Sequence, residues 1–201
     1  MTIHSLAGVI GSAGFESGDR LMVGHWWHSP IGAFTDVMWV EPDGLRVLYA
    51  PDERVARFVT SLYRFERTDV VPFRTEGDAK HLAVEFGDRS VTMRSGWGIP
   101  IPFGRPRWFT RWVEGPIARV ALRVHTYGVT TTGVREWYQA EVYRPMRHAE
   151  ASARGTSLGA HGRVEPPIGI GFSEPPRWAS VVNVRTRLLD PSGRLDEVLG
   201  H

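Results

Sequence analysis

The sequence predicts an α+β fold, mainly antiparallel β, in which a curved sheet or a closed β-cone or barrel surrounds a pocket and carries two short helices. Three observations lead to this prediction. The chain of 201 residues contains 22 glycines and 14 prolines, which interrupt it every few positions. Between them lie short runs in which apolar and polar residues alternate, as they do in strands. Longer stretches with helical periodicity are rare.

Alternating runs and turn residues predict two β-hairpins. The first joins residues 34–40 to residues 45–50 through Pro42, Asp43 and Gly44. The second joins residues 80–86 to residues 89–94 through Gly87 and Asp88. Further strands are predicted over residues 64–73, 118–129, 134–144 and 178–189.

One segment has the apolar spacing of an amphipathic helix. Val55, Phe58, Val59 and Leu62 recur at i, i+3, i+4 and i+7, after Pro51 and Asp52, so a helix is predicted over residues 51–62. A second, short helix is predicted over residues 145–154. The alternative is a helix-grip fold with a long C-terminal helix across the sheet, but no long periodic segment follows residue 155.

Length and composition favour a single domain over residues 1–201, with loose ends near residues 1–20 and 191–201. The net charge of +2 is small, so nucleic acid is not an expected partner. No apolar run reaches the roughly 20 residues that a membrane helix needs, so no membrane partner is expected. The start lacks a basic leader, so we expect a cytoplasmic protein. We also expect the protein to be soluble and to need no cofactor. A homo-oligomer is compatible with the sequence.

Two short segments carry a resemblance to a known family. The segments "SPIGAFTDVMWV" (29–40) and "SGWGIPI" (95–101) resemble motifs of acetoacetate decarboxylase-like proteins, in which S-P-x-G-[PA]-[YF]-x-[ED] is followed later by W-G-[FYI]-P-K. The resemblance implies an antiparallel sheet closed into a cone around a hydrophobic pocket. It covers under a tenth of the chain.

The most informative feature of this resemblance is a departure from the family pattern. The family's lysine, which forms a Schiff base with a keto acid, corresponds here to Ile101, and isoleucine cannot form an imine. Lys80 is the only lysine in the sequence, and its neighbours predict a surface position. The resemblance therefore implies the fold without the decarboxylase chemistry.

Candidate site residues come from the aromatic bend and from two neighbouring strands. A small apolar or weakly acidic ligand is predicted to contact Trp97 and Ile101, with Arg94 or Arg123 meeting a carboxylate. Glu136 and Tyr138, with His125 from the preceding strand, form a candidate acid–base set. The simpler interpretation of residues 134–144 is a strand with cross-strand ion pairs.

Two other motifs receive structural interpretations. His25 and His28 are spaced as metal ligands could be, but no acid lies nearby in sequence, so a structural role is favoured and no metal site is predicted. The proline-rich segment 165–178 either caps the mouth of the pocket or carries the chain across the surface, and the second is favoured. Three functions follow: a ligand-binding protein, a lysine-independent lyase or hydrolase acting on a small organic acid, or a protein-interaction module.

Overall fold

A computed structural model describes residues 3–101, 127–130, 132–171, 174–190 and 193–200. The predicted strand 118–129 lies outside these ranges except for its last three residues. The strands are β1 (Ile3–Phe15), β2 (Arg20–His28), β3 (Phe34–Val40), β4 (Arg46–Ala50), β5 (Arg67–Val70), β6 (Phe73–Gly77), β7 (His81–Phe86), β8 (Arg89–Ser95), β9 (Ile99–Pro100), β10 (Tyr127–Val129), β11 (Arg135–Ala153), β12 (Thr156–Ser157), β13 (His161–Gly162) and β14 (Ser180–Leu189). The helices are α1 (Glu53–Leu62) and α2 (Arg194–Leu199).

The described strands form one sheet in the order β5-β4-β3-β2-β1-β14-β11-β8-β7-β6, with the short strands β9, β10, β12 and β13 attached to its sides. Among them only the β4–β5 pair is parallel. The predicted fold class is confirmed as a mainly antiparallel, curved sheet, and both predicted hairpins are present as β3–β4 and β7–β8. The sheet is open, because β5 and β6 lie at its two ends.

The sheet curls because its longest strand belongs to two layers. The first part of β11, residues 135–145, pairs with β14, and the second part, residues 146–153, pairs with β8. Strands β6–β8 thereby fold back over one face of β2–β4. Trp39 on β3 and Phe86 on β7 meet in this layer with ring centroids 6.1 Å apart, and both are almost fully buried.

The opposite face of β1–β4, β14 and the first part of β11 carries the helices and the pocket. Asp52 caps α1 by accepting a hydrogen bond from the Val55 amide at 2.9 Å, as the sequence predicts for this helix start. Phe58 of α1, Leu188 of β14 and Leu195 of α2 are fully buried in one cluster. The predicted helix is therefore confirmed, and its apolar stripe faces the sheet.

The predicted helix over residues 145–154 is wrong, because these residues form the second part of β11. Ala149 and Ala151 are buried and Glu150 between them is exposed, which is the alternation of a strand. Backbone pairing with β8 over residues 146–153 outweighs the helical propensity of the alanines in this segment. The helix-grip alternative is not found either, since α2 spans only six residues.

Both described chain ends contact the rest of the fold. Strand β1 lies in the middle of the sheet between β2 and β14. Small residues allow its close packing: a Cβ on Gly8 would lie 2.4 Å from the carbonyl oxygen of His25. At the other end, the amide of Leu195 donates to a carboxylate oxygen of Asp190 at 2.7 Å. Among the described residues, no helix is both long and apolar enough to cross a membrane.

Candidate functional site

A pocket opens on the helix-bearing face of the sheet and has a cavity volume of about 90 Å³. Its wall combines side chains of β1, β2, β3, β11 and β14 with the residue that follows α1 and with a covering segment. The described lining residues are Ile10, Ser12, Met22, Gly24, Trp26, Asp36, Met38, Tyr63, Glu136, Tyr138, Ile170, Gly171, Glu174, Pro175, Pro176 and Val182. The lining is therefore mostly apolar, with a few polar groups.

Asp36 is the most deeply buried acid of the pocket. It is 1% exposed, and its Oδ1 accepts a hydrogen bond from Trp26 Nε1 at 3.0 Å. Its Oδ2 is buried and has no hydrogen-bond partner among the described residues. Burial raises the pKa of Asp36 to about 7, although the Trp26 hydrogen bond opposes this. The carboxyl group therefore changes its ionisation near neutral pH.

Gly24 gives Trp26 and Asp36 the room to meet. A Cβ at this position would lie 2.5 Å from Asp36 Oδ1 and 2.6 Å from Trp26 Nε1. Both distances are shorter than side chains tolerate, so a larger residue would push the two partners apart. The glycine on β2 is thus part of the site, although it offers no functional group.

Glu136 on β11 is the second buried acid, with 4% of its surface exposed. Its Oε2 accepts a hydrogen bond from the Tyr63 hydroxyl at 2.8 Å. Burial raises the pKa of Glu136 to about 7, and the hydrogen bond from Tyr63 opposes the shift. The pKa values of the Tyr63 and Tyr138 hydroxyls are raised by burial and by the negative charge of Glu136. Both phenols therefore stay protonated at neutral pH.

A proline-rich segment covers part of the pocket, and this corrects the surface role favoured from the sequence. Ile170, Gly171 and residues 174–176 line the pocket, and we call residues 168–171 together with 174–176 the cap. Glu174 holds the cap together, since its two carboxylate oxygens accept hydrogen bonds from the amides of Ile168 and Gly169, each at 2.8 Å. These two hydrogen bonds connect Glu174 to the backbone at the start of the cap.

A second, smaller pocket shares Trp26, Asp36, Tyr63 and Glu136 with the first and has a cavity volume of about 30 Å³. Thr186 on β14 also lines it, and the buried hydroxyl of this residue has no hydrogen-bond partner among the described residues. Asp36 and Glu136 therefore belong to the walls of both pockets.

The structure brings together two of the predicted site residues and leaves three outside. Glu136 and Tyr138 both line the pocket. Trp97 is 85% exposed, Arg94 is exposed, and neither these two nor Ile101 lines the pocket.

The remaining predicted site residues, His125 and Arg123, lie outside the described residues. The aromatic bend itself is placed by its backbone, because the Ile101 amide donates to the Glu141 carbonyl at 2.9 Å. This pairing attaches the bend to the edge of β11 and leaves the Trp97 ring in solvent.

An irregularity in β11 changes which side chains face the pocket side of the sheet. The register with β14 shifts between Ala140 and Val142, which is a β-bulge. Sequence alternation places Tyr143 on the face opposite Glu136, but after the bulge Tyr143 packs with Ala140 against the same core. Glu141 instead forms an ion pair with Arg185 on the neighbouring strand, as the simpler interpretation of this strand predicts.

The two histidines of β2 take structural positions. His25 Nδ1 lies 2.8 Å from Thr35 Oγ1, and His28 Nε2 lies 3.3 Å from Ser5 Oγ. Burial lowers the pKa of His25. Within the described parts of the chain, no group of three or more histidines and acids is arranged to hold a metal ion.

Sequence reasoning missed Asp36, Trp26 and Tyr63 as site residues. A signal for Asp36 was available, because the alternation of β3 puts it on one face with Phe34, Met38 and Val40. A single carboxylate on an otherwise apolar strand face is expensive to bury, and functional sites are where proteins accept such a cost. Tyr63 gave no comparable signal, since it follows the helix directly.

Comparisons with known proteins add a weak likeness of fold. No family model matches the chain, and no curated protein matches it. A solved structure described as "Structural Studies of Acetoacetate Decarboxylase" is similar to 93% of this chain and 84% of its own, with 8% sequence identity and a TM-score of 0.43.

Proposed function

We propose that this protein binds a small, mainly apolar molecule in the pocket and holds its polar group with Asp36 and Glu136. The observation that carries the proposal is the buried Oδ2 of Asp36, which has no hydrogen-bond partner among the described residues and belongs to a mostly apolar pocket. A buried acceptor without a partner costs about 1–3 kcal/mol. A ligand that donates a hydrogen bond to this oxygen removes that cost, while its apolar body covers the remaining wall.

The geometry of Glu136 supports a second candidate, an acid–base enzyme. Its carboxyl is hydrogen-bonded to the Tyr63 hydroxyl, and its pKa of about 7 suits a group that both accepts and donates a proton at neutral pH. Such an enzyme would be a lyase or hydrolase without imine chemistry. Lys80, the only lysine, is exposed in the turn between β6 and β7.

Ligand binding can be tested by the fluorescence of Trp26. We expect a panel of small alcohols and primary amides, which can donate a hydrogen bond, to change the emission of the wild-type protein, and we expect this change to disappear in Trp26→Phe. Trp97→Phe is the matched control, because Trp97 is exposed outside the pocket, and it should keep the response. A panel that leaves the emission unchanged, or a response that is lost in Trp97→Phe and kept in Trp26→Phe, would contradict the proposal.

The acid–base role of Glu136 in the enzyme candidate has a separate test. Any ligand of the panel that is converted should be bound but not turned over by Glu136→Gln, since the amide keeps the acceptor for Tyr63 and loses the transferable proton. Full turnover by this variant would remove the acid–base role and leave the binding role intact.

A further inference from the structure

The charged side chains in the described lining of the pocket are all acids. Three acids, Asp36, Glu136 and Glu174, belong to its described lining, and that lining contains no arginine, lysine or histidine. Tyr63 and Tyr138 are the other titratable groups that face Asp36, and the lining residues from β1, β2 and β14 include none. An anionic ligand would find no counter-charge among these groups.

The two buried acids need a positive partner more than a neutral one. A buried carboxylate is stable only when it is paired and hydrogen-bonded. Asp36 Oδ1 accepts a hydrogen bond from Trp26, and its Oδ2 has no partner among the described residues. Glu136 has the Tyr63 hydroxyl as its partner. Neither acid forms an ion pair with any described residue of the lining. The indole of Trp26 and the phenol rings of Tyr63 and Tyr138 add faces that attract a cation.

We propose that the ligand of this pocket is an organic cation, a protonated amine on a compact apolar body, and that Asp36 and Glu136 are its charge-recognition residues. This inference rests on the proposed binding function and replaces the weakly acidic ligand that the sequence suggested. An ammonium group has up to three N–H donors. In this proposal the ammonium donates to the carboxyl groups of Asp36 and Glu136, and the apolar body lies against Met22, Met38 and Ile170, all of which line the pocket.

The pH dependence of binding separates this ligand class from the others. Both carboxyls ionise near pH 7, whereas an alkylammonium keeps its proton well above that pH. Binding of the cation therefore releases protons at pH 6 and tightens as the pH rises, by at most about tenfold per pH unit for each proton released. A carboxylate ligand would need protonated acids, so its binding would weaken over the same range.

The test uses benzylamine, benzyl alcohol and benzoate, which share one ring and differ in charge. Calorimetric titrations at pH 6, 7 and 8, each in two buffers of different ionisation enthalpy, give the affinity and the number of protons released. We expect benzylamine to bind more tightly than benzyl alcohol and benzoate at pH 8, and to release protons at pH 6. The buried acids are then neutralised one at a time.

Asp36→Asn and Glu136→Gln keep the acceptors for Trp26 and Tyr63, so both variants retain the hydrogen bonds that the fold uses. Each variant should lower the affinity for benzylamine at least about tenfold, because hydrogen bonds to charged groups are the stronger ones. The affinity for benzyl alcohol should change by no more than about threefold. Glu150→Gln is the matched control on the same strand, since Glu150 is exposed and pairs with His148. It should leave all three affinities unchanged.

The outcomes distinguish this inference from the binding function itself. The cation inference is overturned if benzoate binds more tightly than benzylamine. It is also overturned if benzylamine binds with the same affinity as benzyl alcohol and this affinity does not depend on pH. Either result leaves a pocket for neutral or acidic ligands. The cation inference is also overturned if Glu150→Gln lowers the affinity for benzylamine as much as Glu136→Gln does. If none of the three compounds binds at millimolar concentration and the neutral panel fails as well, both proposals fall.

Discussion

At the scale of single residues, Asp36 and Glu136 make the stability of this protein depend on pH in an unusual direction. Their pKa values in the fold are about 7, above those of unfolded Asp and Glu. Between about pH 4 and pH 7 the native state therefore binds more protons than the unfolded state. The free energy of unfolding falls as the pH rises through this window, and it levels off above it.

Asp36→Asn should remove part of this dependence. The variant does not ionise, so we expect its stability relative to the wild type to increase between pH 5 and pH 8, by up to a few kcal/mol, since one pKa unit corresponds to about 1.4 kcal/mol. Urea unfolding at several pH values measures the difference. A constant difference across the range would show that the carboxyl of Asp36 ionises in the native state as it does in water.

A second prediction concerns Gly24, which has no side chain to contribute. Gly24→Ala should separate Trp26 from Asp36, because the added Cβ would lie 2.5 Å from Asp36 Oδ1. We expect a loss of stability of about 1–3 kcal/mol, as for other overpacked core positions, together with weaker ligand binding and altered Trp26 emission. Gly133→Ala is not a suitable control because Gly133 has positive φ.

Gly162→Ala is the suitable control for this experiment. Gly162 has open space around the position of a Cβ, and its φ is not among the positive values of the chain. It should leave the ligand affinity unchanged. An alanine at position 24 that keeps wild-type affinity and emission would contradict the close-approach argument.

The residues of the site were only partly predictable, for a physical reason. Glu136 and Tyr138 could be found because polar side chains stood out in an alternating strand. Trp97 was predicted to contact a ligand but does not line the pocket, because a Trp-Gly-Ile-Pro bend has the same sequence whether its ring points inward or outward. Only the pairing of β9 with β11 decides that direction, and it is a long-range contact.

At the scale of elements, the cap is the part of the site that can loosen without unfolding the sheet. Glu174→Ala removes the acceptor of two backbone amides at 2.8 Å. We expect a cost of about 1–3 kcal/mol for the unsatisfied groups and weaker ligand binding through a less ordered wall. Thermal unfolding and titration with the ligand panel measure both effects.

A surface acid provides the reference for this cap prediction. Glu76→Ala breaks an exposed pair with Arg74, and such pairs contribute at most about 1 kcal/mol. Its ligand affinity should match the wild type. If Glu174→Ala binds ligand as Glu76→Ala does, the cap is not part of the binding wall.

Elements were predictable where the local pattern and the tertiary contacts agree. Helix α1 has both an apolar stripe and a capping aspartate, and both hairpins have glycine at their turns. The segment 145–154 contains alanines that favour a helix locally, but β8 offers a strand partner that the local pattern does not reveal. The bulge before Val142 likewise depends on β14, so strict alternation placed Tyr143 on the wrong face.

At the scale of the whole molecule, the order of the strands was beyond the sequence. Strand β1 pairs with β14, which lies more than 150 positions away along the chain, and no local signal indicates such a pairing. The sequence analysis expected residues 1–20 to be a loose end, because no local signal indicates this pairing. In the fold the small residues of β1 allow this strand to pack at the centre, where it carries Ile10 and Ser12 into the pocket wall.

The curled sheet predicts that its two layers unfold together. Phe86 on β7 contacts Trp39 and Tyr49 on the opposing layer, with ring centroids 6.1 and 5.1 Å apart, and is 1% exposed. Phe86→Ala should therefore cost about 3–5 kcal/mol. The transition in urea should stay single whether it is followed by tryptophan emission or by circular dichroism, because both layers share this core.

The matched control for Phe86 is Val70→Ala at the sheet edge, where the side chain is 40% exposed, and it should cost less than about 1 kcal/mol. Two separate transitions in Phe86→Ala, or a loss no larger than that of Val70→Ala, would mean that β6–β8 form a unit of their own. The pocket lies on the other face of the shared strands β2 and β3. A cooperative sheet therefore predicts that Phe86→Ala also weakens ligand binding near its lowered unfolding midpoint, although Phe86 does not line the pocket.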